Sequence, residues 1–119
     1  MLRFLKGVRF AWMGIKRLLK TERNFQIQVF CGAMVIVMAY CFGLSRYDWV
    51  LVLALIGIVL AAEAFNSAIE RLCNLYSQAH DERIAWIKDV AAGAVMLLAA
   101  ISAVIGGLIF YPYLKSFWY

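Results

Sequence analysis

Three stretches of this chain run for some twenty residues with almost no charge, and that limits the possible folds more than any other feature. Phe25 to Leu44 and Val90 to Phe110 contain no charged residue, and Trp49 to Ala62 is apolar throughout. An α-helix crosses the hydrocarbon core of a bilayer with about 20 such residues. The strands of an outer-membrane barrel would instead be short and would alternate polar with apolar residues, and no such alternation occurs. Composition agrees: 66% of the 119 residues are hydrophobic and 16% charged, too apolar for a soluble fold of this size to bury. Disorder, a secreted disulfide scaffold and a collagen-like fibre are excluded. The three cysteines, Cys31, Cys41 and Cys73, show no metal-ligand spacing and are read as small thiols within the membrane. The chain is therefore expected to be one all-α integral-membrane domain over residues 1–119. It would have an amphipathic surface helix at 1–22 and transmembrane helices at about 25–44, 49–70 and 90–110. A tight turn is expected at Ser45–Asp48, and the third span should close at Tyr111–Pro112.

Residues 1–23 hold seven of the twelve basic residues. On a helical wheel Phe4, Leu5, Val8, Ala11, Trp12, Ile15, Leu18 and Leu19 share one arc, and Arg3, Lys6, Arg9, Lys16, Arg17 and Lys20 the opposite one. A basic amphipathic helix of this kind lies flat on an anionic leaflet, so the basic surplus is read as lipid attraction and not as nucleic-acid binding. With three spans, ten of the twelve basic residues fall on the side of the N-terminus. The N-terminus is therefore expected in the cytoplasm and Tyr119 outside. Ala99, Ala103 and Gly107 form a small-residue row suited to close helix packing.

The second span changes character near its end. Measured from Glu63, Asn66, Ser67, Glu70 and Asn74 fall at about 300°, 40°, 340° and 20° on the wheel, so five polar residues line one face. If Trp49 marks the outer interface, Glu70 lies about 31 Å further along the helix, at the inner interface, and Glu63 roughly 10 Å deeper. A carboxylate at that depth marks a functional site by default. Lys88 and Asp89 stand where the third span enters the membrane, and Glu22 and Arg23 where the first does. Acids and cations around a membrane-edge pocket suit a magnesium–polyphosphate complex, with a deeper carboxylate as general base. No Walker A or kinase glycine loop is present. His80, the single histidine, has no partner ligand and is read as a loop residue.

The string Glu63-Ala-Phe-Asn66-Ser67-Ala68-Ile69-Glu70 resembles the E-x-x-N-S/T-A-I-E signature of the bacterial diacylglycerol kinase and undecaprenol kinase family. Lys88-Asp89-Val-Ala-Ala-Gly93-Ala-Val is similar to that family's K-D-x-x-A-A-V segment at the same spacing. Trp12, Gly14 and Thr21-Glu22-Arg23-Asn24 match its first-helix entry. The resemblance implies an ATP- and magnesium-dependent lipid kinase of the bacterial inner membrane, built as a homotrimer, that phosphorylates a lipid alcohol. It leans toward the undecaprenol branch. It implies Glu63 as catalytic base with Asn66 beside it, and Glu22 and Glu70 as ligands of magnesium bound to ATP. Arg3, His80, Asp81, Lys88 and Asp89 would contact the nucleotide. The chain departs from the family at Asn74, where many members carry Asp, and at Phe10, which replaces an aromatic hydroxyl. Sites at subunit boundaries would allow Glu22 and Glu63 to come from different chains. On the residue pattern alone, a small transporter or channel subunit and a non-enzymatic membrane assembly protein remain alternatives.

Overall fold

The computed structural model describes residues 1–119 as four α-helices: α1 Leu2–Thr21, α2 Arg23–Phe42, α3 Arg46–Tyr76 and α4 Glu82–Trp118. The last three are long and apolar enough to cross a membrane. α3 lies in the middle, with α2 and α4 packed against it and a groove left open between them. The molecule is a slab of 58 × 42 × 21 Å. Only 12 of 119 residues are buried, as befits helices whose outward faces meet lipid.

α1 buries nothing in its own chain and shows its apolar face outward, as a surface helix should. It ends at one extended residue, Glu22 (φ −104°, ψ 106°), which is also the N-cap of α2. Gln26 Nε2 donates to the Leu19 carbonyl at 2.8 Å and braces this joint.

At the opposite end the chain reverses at Gly43–Ser45, and not at Ser45–Asp48 as expected from sequence. Gly43 takes the left-handed conformation (φ 65°) that ends α2. Ser45 then caps α3, its Oγ accepting from the Asp48 backbone N–H at 3.3 Å and donating to Asp48 Oδ2 at 3.0 Å. Ser45-x-x-Asp48 is thus a helix start, so Arg46–Asp48 are its first turn.

α3 and α4 are also longer than expected. The polar stretch after Glu70 stays helical to Tyr76, and only 77–81 is irregular before α4 begins at Glu82. α4 runs through Pro112 to Trp118, where the sequence suggested a stop. Contacts on both sides of the proline hold the helix there. Phe42 packs edge-on against Phe110 and Phe117, at 6.1 and 6.5 Å between centroids. Tyr113 Oη donates to Asp48 Oδ2 at 2.6 Å and accepts from the Ser45 N–H at 2.9 Å. These lie beside the apolar core of Ala39, Leu44, Val52, Ile109 and Phe110. Gly32 on α2 lets that helix approach Ile56 on α3 closely: an added Cβ would sit 3.0 Å from Ile56 Cγ2. The Ala99–Ala103–Gly107 row faces the open groove.

Candidate functional site

The chemistry gathers at the end of the bundle away from that core. α3 carries Glu63, Asn66 and Ser67 inward, and they are 4%, 6% and 3% exposed. In a chain with few buried positions, these are the buried polar side chains. Helical spacing explains the grouping: residues three and four apart share a face, so Glu70 lies one turn above Asn66. Asn66 Nδ2 contacts Glu70 Oε1 at 3.5 Å, and its Oδ1 has no partner. A buried acceptor without a donor is costly and marks a place where a ligand, ion or water can bind.

Glu63 and Asn66 open into a pocket of about 260 Å³, completed by Asn24 and Gln28 of α2 and by Val95 and Met96 of α4. Ile27, Gln28 and Ala99 also line a second, largely apolar groove of about 660 Å³ that follows α3 toward Val52 and Phe110. The polar pocket is thus the head of a long apolar trough. Asn24 and Gln28, one helical turn apart on α2, were not singled out as site residues from sequence. Their spacing at the start of an apolar helix was the available signal.

Glu22 reaches this region through α3 of its own chain. Arg71 Nη2 and Nε both donate to Glu22 Oε1, at 2.6 and 3.1 Å. Arg71 Nη2 also lies 3.2 Å from Thr21 Oγ1, which donates to the Arg17 carbonyl at 2.8 Å. Sequence gave no hint of the Arg71 contact, because 49 positions separate the partners. Lys88 Nζ donates to Asn74 Oδ1 at 2.6 Å, bringing α4 to the same end of α3. Asn74 is exposed and serves this contact, so the polar stripe leaves the interior above Glu70.

The remaining nucleotide candidates are not drawn in. Arg3 is exposed at the far end of α1, about 27 Å along the axis from Thr21. His80 and Asp89 are exposed. Asp81 caps α4: its Oδ1 accepts from the Arg83 N–H at 2.9 Å and its Oδ2 from Arg83 Nη2 at 2.8 Å. Those hydrogen bonds hold the Asp81 carboxyl down at about 2.

The donor set suits a magnesium ion. Glu70 touches the Asn66 amide whose oxygen is orphaned, and Glu22 is held to the same end of α3 by Arg71, while no cluster of three acidic, histidine or cysteine side chains is present. Magnesium commonly takes only one or two carboxylates and fills its shell with phosphate oxygens and water.

The sequence of residues 9–110 matches the family described as prokaryotic diacylglycerol kinase. An undecaprenol kinase of Bacillus subtilis (strain 168) is 38% identical over 110 residues, covering 92% of this chain and 89% of that protein. A diacylglycerol kinase of Synechocystis sp. is 38% identical over 114 residues, covering 94% of this chain and 65% of that one. A diacylglycerol kinase of Haemophilus influenzae is 22% identical over 108 residues, covering 90% and 92%. Both the match and the buried Glu63–Asn66 constellation place this chain: it belongs to the prokaryotic diacylglycerol kinase family.

Proposed function

We propose that this chain transfers the γ-phosphoryl group of ATP to the hydroxyl of a membrane lipid alcohol. The observation that carries the proposal is the buried Glu63 at the head of the apolar trough. A lipid whose tail lies along Val52, Leu55, Ile56 and Phe110 presents its hydroxyl at the polar end, beside Glu63 and Asn66. Glu63 accepts the hydroxyl proton as the oxygen attacks the γ-phosphorus and the bond to the ADP oxygen breaks, and Asn66, one turn along the same face of α3, helps to order that carboxylate. Glu22 and Glu70 would hold magnesium, which would offset charge on the polyphosphate. Lys88, tethered by Asn74 with a neutral partner, keeps its full positive charge for phosphate. Arg3, His80, Asp81 and Asp89 stand as the family-implied outer contacts to the nucleotide.

The Bacillus relative, 38% identical over 92% of this chain, is named for undecaprenol. We therefore place a polyprenol ahead of diacylglycerol as acceptor. Purified protein given radiolabelled ATP should phosphorylate a long polyprenol faster than diacylglycerol when both are offered side by side. Faster phosphorylation of diacylglycerol would reverse the preference, and no lipid phosphate from either would overturn the kinase reading. The reading includes a homotrimer in the inner membrane with the N-terminus in the cytoplasm: the family resemblance supports the trimer, and the ten basic residues on the side of the N-terminus support the orientation.

A further inference from the structure

We infer that Arg71 is a positioning residue: it grips Glu22 by one carboxylate oxygen so that the other is presented to the cation beside Glu70. The inference rests on the reading of Glu22 and Glu70 as magnesium ligands and extends it to a residue outside the family signature. Both donors of Arg71 converge on Oε1, and Oε2 accepts no hydrogen bond. Thr21 accepts from the same guanidinium and donates back into α1, so the Arg71 head is fixed from two sides.

The need for such a residue follows from where Glu22 sits. It is the single extended residue between α1 and α2, on a joint that the bundle does not bury. Glu70 is on α3, and two carboxylates brought toward one cation repel each other before it arrives. Arg71 lies one residue beyond Glu70 on α3, so its bond to Glu22 holds the joint at the level of Glu70 along that helix and its charge screens that repulsion. An ion pair with one partner 65% exposed contributes little to stability, so holding the fold together is a poor account of it. Orienting a ligand is a better one, because partners that hydrogen-bond a metal-binding carboxylate fix its geometry and tune affinity.

The test uses manganese(II) as the probe, titrated by electron paramagnetic resonance into the full chain in detergent with a non-hydrolysable ATP analogue. Arg71→Ala should weaken manganese binding about 10–100-fold, the usual effect of losing such a partner. Its melting temperature should stay near the parent's. Arg71→Lys, which keeps the charge and one donor, should recover part of the affinity. Glu22→Gln separates the two levels of the argument. If Glu22→Gln loses manganese while Arg71→Ala binds it like the parent, the positioning role is wrong and the carboxylate reading stands. Tighter binding by Arg71→Ala would make Arg71 a competitor of the cation and overturn the inference as well. If Glu22→Gln itself binds like the parent, the carboxylate reading falls and the inference with it.

Discussion

Glu63 is the residue on which the proposed chemistry depends, and its burial makes the substitution test clean. Glu63→Gln keeps the volume and the hydrogen-bonding capacity and removes the ability to take a proton. Turnover should fall about 10²–10⁴-fold with ATP affinity retained, and steady-state kinetics beside nucleotide binding will separate the two. Glu70→Gln should instead weaken magnesium-dependent ATP binding as well as turnover, which calorimetry will show. Asp81 gives a pH marker outside the membrane. Its carboxyl titrates at about 2, below the ordinary 3.8, because Arg83 bonds it. A depressed acid contributes above its unfolded pKa and loses that contribution as pH falls through the folded one. The α4 cap should therefore survive down to about pH 2, as a carboxyl carbon NMR titration would show. Residues on one helical period were the legible ones: Glu63, Asn66, Ser67 and Glu70 could be placed together by counting. Arg71 and Lys88 could not be paired, since their partners lie on other helices and periodicity says nothing across a gap in the chain.

At the scale of the helices, sequence located the three spans and the surface helix, because hydropathy and amphipathic spacing act over many residues. It erred at the ends. Ser45-x-x-Asp48 passed for a turn because polar residues between apolar runs serve both purposes. Pro112 passed for a stop because local propensity could not show Tyr113 and Phe117 anchoring the helix beyond it. Those anchors can be tested. Tyr113→Phe removes the hydroxyl shared by Asp48 and Ser45, and should destabilise the chain by about 2 kcal/mol in thermal unfolding in detergent, leaving the site untouched. Gly32→Leu should cost about 1–3 kcal/mol by forcing α2 off Ile56.

For the whole molecule, the basic residues cluster with the Glu22–Arg71 end, and a cytoplasm-only reporter fused after Tyr119 should stay silent. A strong signal there would overturn the three-span orientation. The structure also bears on the sharing of sites. Glu22 is bonded to α3 of its own chain, and on that contact we propose that Glu22 and Glu63 act within one chain and not across a subunit boundary. Mixed oligomers of Glu22→Gln and Glu63→Gln subunits should remain inactive, measured on co-purified, differently tagged chains; recovered activity would restore the shared site. The two ends of the slab differ in one further respect. The Val52–Phe110 end is joined by aromatic rings, aliphatic packing and a hydrogen-bonded tyrosine. The Glu22–Arg71 end is joined by a guanidinium on a carboxylate and an ammonium on an amide. Ionic strength therefore acts chiefly on the exposed Arg71–Glu22 contact: added salt weakens the grip that orients Glu22 while both ends of the bundle keep their shape, like a tuning fork gripped by its stem.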